Sequence, residues 1–506
     1  MDKPKINYGQ VLELLSVNGL LVKHSIQNPG KEVGYISCDS RDMAENTLFF
    51  CKGAHFEEKY LTEAVEKGAV CYAAEKEYDT DAGYIITNDI RRAIAQIAPL
   101  YYGYPCRDLE LTGVTGTKGK TTVTHFIRNI LDEYTHKKTG LSSNIEKYTG
   151  KRSEEAHLNT PEPCDLQKYF YEAKESRIKY FTMEVSSQAY KTDRVRGIIF
   201  DNGIFLNIAE DHISPAEHED FEDYLNCKTE FLKNCSNIVI NCGTDCFCRV
   251  LEAAKSSKSL KQITLFGGEK FKDSCDYYYS GIKKEERGLA FFVKNDKTGY
   301  RAEFAIKMPG RFNAENAAAA ITLCLTLGID DESIKKGLLK TEIPGRMNIF
   351  EGGGITVVVD YAHNLLSFTE LYKSLKLDYP GRKIISVGGA PGEKAYRRRK
   401  DFADVVGKAS DYVYLTAEDP QFEDVKTICG EIAGYMPDTA YEIICDRAEA
   451  VKKAVSGAGA GDVVVLLAKG GENYQKVKGK YEFYESDVAI AKNILDQKQS
   501  ESGVNI

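Results

Sequence analysis

Gly113-Val-Thr-Gly-Thr-Lys-Gly-Lys-Thr-Thr122 decides how this chain is read. A short apolar run, Glu110–Val114, leads into it, and Val123, Phe126, Ile127 and Ile130 follow at helical spacing. A strand, a glycine-rich turn and a helix start together make an anion site, because backbone N–H groups and the helix N-terminus converge on one point. Lys120 is placed to reach the β- and γ-phosphates of a nucleotide, and the Thr121 hydroxyl to hold Mg²⁺. The strict spacing G-x-x-x-x-G-K-[ST] is not met. Val114 stands in its first position, and Gly113 lies one residue further out.

Downstream, Tyr180–Val185, Gly203–Ile208 and Asn237–Asn241 read as strands, and the alanine-rich Ala314–Leu327 as a helix. This alternation predicts a mostly parallel sheet with helices on both faces. Upstream, the short apolar runs Gly34–Ser37, Thr47–Cys51, Ala69–Ala73 and Tyr84–Ile86 mix with a helical pattern at Leu61–Lys67, which predicts a small α/β domain. From Pro344 onward, Lys383–Val387 leads into GGAPGEK, Asp411–Leu415 into TAEDPQ and Asp462–Leu467 into AKGGE. Ligands of open α/β sheets bind beyond the carboxyl ends of such strands, so these loops are expected to share one pocket. The expectation is an α/β protein of three domains: a small N-terminal one at 1–105, a central P-loop-type one at 106–343 and a Rossmann-like one at 344–506. The polar tail after Lys492 is expected to fray.

A length of 506 residues suits three domains. The net charge of -8 argues against broad attraction to nucleic acid, so positive charge for phosphates must be local. No apolar run approaches the roughly 20 residues of a membrane helix. The opening MDKPKINYGQVLELL lacks the layout of a signal peptide. The 14 cysteines are scattered, which suits reduced thiols in the cytoplasm. The tightest group, Cys235, Cys242, Cys246 and Cys248, has no CxxC pair and so argues against structural zinc.

The departure from the strict spacing is informative. Gly113-x-Thr115-Gly116-Thr117-x-Gly119-Lys120-Thr121-Thr122 resembles the loop of the Mur ligase superfamily, which includes the folylpolyglutamate synthetases. Met183-Glu184-Val185-Ser186-Ser187 with Arg194-Val195, and Asn207 with Asp211-His212 and Lys228, narrow the resemblance to the UDP-N-acetylmuramoyl-tripeptide synthetase (MurE) branch. Gly310-x-Phe312-Asn313-x-x-Asn316, Pro344-Gly345-Arg346-Met347, Asp360-Tyr361-Ala362-His363 and Asp39-Ser40-Arg41 match as well. The matches run in the family's order along nearly the whole chain.

The resemblance implies an ATP-dependent ligase of peptidoglycan precursor synthesis. ATP phosphorylates a carboxylate, and an amine then displaces phosphate. It implies that Gly116, Thr117, Lys118, Gly119, Lys120, Thr121, Thr122, Asn313, Asn316, Arg346, Asp360 and His363 hold ATP, and that Thr121, Glu184, His212 and Lys228 hold Mg²⁺. Lys120, Lys228, Glu184 and His212 would be the catalytic set, with Lys228 carrying a CO₂-derived carbamate. Burial would supply the neutral amine that carbamylation needs. The N-terminal domain would bind a UDP-sugar through Ser40, with Asn159, Thr160, Ser186, Thr192 and Arg194 on its muramoyl-peptide. Leu158-Asn159-Thr160-Pro161 departs from the family's Asn-Thr-Thr-Pro, and Gln188 stands where His is frequent.

The amino acid is expected at Lys394, Glu418, Asp419, Pro420, Gln421 and Glu472. Members that add meso-diaminopimelate carry Asp-Asn-Pro-Arg where this chain has Glu418-Asp419-Pro420-Gln421. Gln421 cannot form a bidentate ion pair with a distal carboxylate. Glu418, Asp419 and Glu472 offer negative charge to an ammonium, and Arg397–Arg399 add positive charge nearby. L-lysine is therefore expected, with L-ornithine and meso-diaminopimelate as alternatives. A folylpolyglutamate-type ligase and a non-catalytic nucleotide sensor are the rival readings. The protein is expected to be monomeric, with small molecules as its only partners.

Overall fold

The computed structural model describes residues 4–53, 56–156, 158–214, 217–286 and 288–502. Among them, three large sheets follow one another along the chain, and a two-stranded antiparallel one, Tyr474–Val477 with Lys480–Phe483, lies near the C-terminal end. The first has five strands in the order Leu21–His24, Gly83–Thr87, Ala69–Ala74, Thr47–Phe50, Tyr35–Ser37. All its pairings are parallel except that of Leu21–His24 with Gly83–Thr87. The third has six, and only its edge strand Asn348–Gly352 is antiparallel. The α/β class read from the sequence is the observed one.

The central sheet has eleven strands. Its middle is parallel, with Glu110–Thr115 between Tyr180–Glu184 and Phe200–Phe205. The register sets Glu184 beside Val114 and Phe205 beside Thr115. Three strand ends therefore emerge together where the glycine-rich loop begins. Helix Lys120–Thr135 leaves that loop and buries Val123, Phe126, Ile127 and Ile130 against the sheet and the alanine-rich helix Phe312–Thr326.

Gly113 and Gly203 lie side by side in this sheet. A Cβ on Gly113 would meet the Phe231 ring at 2.6 Å, and one on Gly203 would meet Cys235 Sγ at 2.5 Å. These glycines let helix Phe221–Leu232, which carries Lys228, press onto the sheet. Gly113 thus serves packing rather than the phosphate loop.

Two features differ from the sequence reading. Antiparallel strands extend the central sheet at both ends, Leu289–Asn295 and Tyr300–Ile306 at one, Glu146–Tyr148 and Ser153–Glu155 at the other. The tail does not fray at Lys492: helix Asp487–Ser502 continues because Ile490, Ala491 and Leu495 pack with Val455 and Ile355. Among the described residues, no helix is long and apolar enough to cross a membrane.

Candidate active site

The glycine-rich loop has its conformation dictated locally. Gly119 has φ 87°, and a Cβ there would meet Asn316 Oδ1 at 2.4 Å. Thr117 N–H donates to the Asn207 carbonyl at 2.9 Å, and Lys118 N–H to Asn207 Oδ1 at 2.9 Å. Asn207 thereby ties the loop to the neighbouring strand end. Thr121 Oγ1 donates to Glu184 Oε1 at 2.9 Å, and the Asn144 backbone N–H donates to the same oxygen at 2.8 Å. Burial pushes the Glu184 carboxyl up, opposed by the nearby Lys120 charge.

Lys228 is buried, at 2% exposure. Its Nζ donates to the Gly116 carbonyl at 2.8 Å, which also accepts from Lys120 Nζ at 2.8 Å. Burial, with Lys120 close by, holds the Lys228 amine well below its ordinary range. An exposed helix lysine would behave otherwise. His212 has φ 60°, and its Nδ1 lies 2.8 Å from Glu217 Oε1. Among the described residues, no hydrogen bond or ion pair joins His212 to Thr121 or Glu184. It faces one side of the Tyr224 ring at 5.9 Å, while Lys228 Nζ lies 4.9 Å from that ring.

Asp211 is the junction between the central and third sheets. It pairs with Arg398 at 2.9 Å and with Lys118 at 3.6 Å, and it accepts from Asn364 Nδ2. Despite burial, Arg398 and its other cationic neighbours hold its carboxyl well below the usual range. Burial brings Lys118 down to about 7, with Asp211 opposing. Lys118 Nζ lies 2.8 Å from His363 Nε2, and His363 Nδ1–H donates to the Tyr361 carbonyl at 2.7 Å. Asp360 accepts from Met347 N–H and Ala362 N–H, each at 2.8 Å, while Arg346 stacks on Tyr361 at 4.1 Å. Asn316 Nδ2 donates to Asn313 Oδ1 at 3.0 Å. Of the residues expected at ATP from the third segment, His363 touches the loop directly, through Lys118.

The three third-segment loops also meet. Gly392 N–H donates to the Asp419 carbonyl at 3.0 Å, and Lys469 Nζ pairs with Asp419 at 2.8 Å and Glu472 at 2.5 Å. Lys469 is 1% exposed, so two of the three carboxylates expected to attract an ammonium already have a buried counter-ion. Glu418 differs. It is buried, its Oε2 has no hydrogen-bond partner, and burial pushes its carboxyl up to about 7 against the pull of Arg398. Arg397–Arg399 are not free positive charge: Arg397 pairs with Glu210, Arg398 with Asp211, and Arg399 with Glu423 and Glu431. Gln421 has φ 54°, and its backbone bridges to Val477. Lys394 is partly buried near Glu418.

Thr160 Oγ1 donates to the Glu184 carbonyl at 3.1 Å and lies 3.2 Å from Ser186 Oγ. Arg194 Nη1 donates to the Thr160 carbonyl at 3.1 Å, and Asn159 immediately precedes Thr160 in the chain. Thr192 instead caps its own helix, donating to the Gln188 carbonyl at 2.7 Å. Ser40 stands apart in the first sheet's domain, donating to Glu63 Oε2 at 3.0 Å.

A family model described as Mur ligase middle domain matches residues 114–324, and one described as Mur ligase, glutamate ligase domain, matches residues 345–470. A UDP-N-acetylmuramoyl-L-alanyl-D-glutamate--L-lysine ligase of Enterococcus faecalis is 39% identical over 475 residues, covering 92% of each chain. The chain belongs to the Mur ligase family. A UDP-N-acetylmuramyl-tripeptide synthetase of Lactobacillus delbrueckii subsp. bulgaricus is 36% identical over 512 residues, 97% of this chain and 99% of the relative. The solved MurF structure from Acinetobacter baumannii superposes with a TM-score of 0.66 at 18% identity, over 98% of this chain and 100% of that one. A 2,6-diaminopimelate ligase structure gives 0.64 at 22% identity, over 98% and 99%. At these identities the two structures speak for the Mur ligase fold alone.

Within this Mur ligase site, the sequence reading missed Lys469, Asn144 and the bridging role of Asp211. Lys469 lies in the quoted AKGGE loop, so its charge was visible there. Nothing in the sequence marks Asn144, which reaches Glu184 through its backbone.

Proposed function

We propose that this Mur ligase joins L-lysine to UDP-N-acetylmuramoyl-L-alanyl-D-glutamate in cytoplasmic peptidoglycan precursor synthesis, acting as a monomer on small molecules alone. The domain at 1–105 takes the UDP end of the acceptor through Ser40. The domain at 106–343 holds ATP and the reacting carboxylate, and that at 344–506 holds the amino acid. Thr160, which touches the Glu184 carbonyl, receives the peptide portion together with its neighbours Ser186, Arg194 and Asn159.

The acceptor carboxylate attacks the γ-phosphorus, and ADP leaves. The lysine α-amine then attacks the acyl carbon of the acyl phosphate, phosphate leaves with the C–O bond electrons, and the nitrogen gives up a proton. A carboxylate is a poor electrophile, and its charge repels the polyphosphate. The Thr121 hydroxyl and Glu184 carboxylate are hard oxygen donors of the kind Mg²⁺ prefers, and a buried carboxylate suits a cation. Thr121 and Glu184 would hold the ion, joined by His212 and carbamylated Lys228. When bound, Mg²⁺ neutralises charge between the two anions. A buried Lys228 whose amine is held well below its ordinary range suits reaction with CO₂, because only the uncharged form is nucleophilic. Lys120 reaches the phosphates, and Asp211 draws Lys118, Arg398 and Asn364 together so that water is excluded around the reacting groups.

The observation that carries the choice of lysine is the unpartnered, buried Glu418 carboxylate beside Gln421. An ε-ammonium satisfies Glu418, whereas the distal carboxylate of meso-diaminopimelate finds no guanidinium at 421. Initial rates with L-lysine, L-ornithine and meso-diaminopimelate on one UDP-muramoyl-dipeptide, with ATP and Mg²⁺, test this. Preference for L-lysine is expected; preference for meso-diaminopimelate overturns it.

A further inference from the structure

The loop between strand Phe200–Phe205 and helix Phe221–Leu232 carries two histidines, and the function above uses only His212. The His218 side chain is fully buried. Its Nδ1 lies 2.9 Å from Asp223 Oδ2 and its Nε2 lies 2.9 Å from Ser187 Oγ. The carboxylate can only accept, so Nδ1 carries the proton and Nε2 accepts the Ser187 hydroxyl. One ring in one tautomer thus ties two elements. Ser187 lies three residues beyond Glu184, at the start of helix Ser187–Lys191. Asp223 lies in the first turn of the helix that carries Lys228, and Lys191 fixes it further by an ion pair.

The backbone of His218 makes a third tie. Its N–H donates to the His212 carbonyl at 3.2 Å, and its carbonyl accepts from Ser214 N–H at 3.0 Å. Its ring packs edge-on against Tyr224 at 5.2 Å. Tyr224 faces both His212 and Lys228 and has its hydroxyl 3.0 Å from Thr117 Oγ1 in the phosphate loop.

We propose that His218 is a positioning residue for ligation, setting the spacing of the Glu184 strand end, the His212 loop and the Lys228 helix without touching substrate. This rests on the ligase reading above. A misplacement of about 1 Å can cost on the order of 100-fold in rate, so a hub shared by three catalytic elements matters even at a distance.

His218→Asn keeps an N–H near Asp223 but is too short to reach Ser187. It is expected to lower kcat about 10–100-fold while KM for ATP stays within about twofold. Ser187→Ala removes the other end of the same link, so the double variant is expected to be no worse than His218→Asn alone. Hydrogen exchange read in parallel is expected to accelerate in residues 184–191 and 212–228 and nowhere else. An unchanged kcat, additive losses, or a rise in KM for ATP matching the fall in kcat overturns the proposal. If the wild type ligates none of the three amino acids, the ligase reading fails instead. Exchange then decides alone, and a uniform or absent change in His218→Asn overturns the positioning role.

Discussion

Replacing Glu418 by Gln should make this protein more stable and a worse ligase at once. The carboxyl is buried, one of its oxygens has no partner, and its pKa is about 7 instead of the ordinary 4.5. That difference corresponds to about 3 kcal/mol, since each pKa unit is about 1.4 kcal/mol. The sign follows from proton binding. Between 4.5 and about 7 the folded protein holds a proton that the unfolded chain has lost. Stability therefore falls as pH rises through that window, and the full cost is present above it. Glutamine carries no charge at any pH. Its variant should lose this pH dependence and gain up to about 3 kcal/mol at pH 8 relative to wild type.

Function moves the other way. The lysine ε-ammonium supplies the missing partner, and a charged hydrogen bond is worth about 1.5–3 kcal/mol, so KM for L-lysine should rise about 10–150-fold in Glu418→Gln. KM for ATP should change far less than KM for L-lysine. In the wild type, KM for L-lysine should fall as pH rises through about 7, because on the proposed assignment the anionic form of Glu418 holds the ammonium. Urea denaturation at pH 5 and pH 8, with initial rates over a lysine series, measures both arms. An unchanged lysine KM refutes the assignment of Glu418 to the ammonium. Loss of stability at pH 8 refutes the burial argument itself.

Gly119→Ala should destabilise the fold by about 1–2 kcal/mol or more, since a left-handed residue costs that much before the clash with Asn316 is counted; urea denaturation checks it, and a midpoint within error of wild type would falsify the loop geometry. Lys228→Ala should lower kcat about 100–1,000-fold and remove a carbamate carbon signal seen in the wild type after ¹³C-bicarbonate labelling. A wild type without that signal counts against carbamylation. Asp211→Asn should destabilise by about 3–5 kcal/mol, because Arg398 and Lys118 would stay buried without their counter-ion. A urea midpoint within error of wild type would show that these charges find other partners.

Much of the site was legible because the phosphate loop is a local device. Strand, turn and helix lie within about two dozen residues, and the parallel order brings Glu184 to Val114 by register alone. Longer-range compensation was not legible. Asp419 and Glu472 count as free negative charge in a linear reading, yet Lys469 sits between them. Arg399 reads as local positive charge but is spent on Glu423 and Glu431. Sequence gives the sign of a residue; only the fold says which charges cancel. The antiparallel flank at 277–306 escaped for another reason. Exposed and buried residues alternate along Tyr300–Ile306, but the tyrosines and lysines of Tyr277–Lys284 blur the apolar pattern.

The charges that remain after cancellation form a line. Lys118 in the glycine-rich loop faces Asp211, Asp211 faces Arg398, and Arg398 acts on Glu418 in the proposed amino-acid pocket. The signs alternate, and every member is largely buried, so screening by water and salt is weak. A polyphosphate beside Lys118 competes with Asp211 for that ammonium. Asp211 is then left to Arg398 alone, and the pull of Arg398 on Glu418 weakens. The Glu418 carboxyl becomes harder to ionise until an ammonium arrives to hold it. On the proposed placement of nucleotide at Lys118 and amino acid at Glu418, the two binding events would share one electrostatic path, although Lys118 and Glu418 belong to different sheets. Coupling of this kind is reciprocal, so L-lysine should alter ATP affinity by the same factor as ATP alters L-lysine affinity.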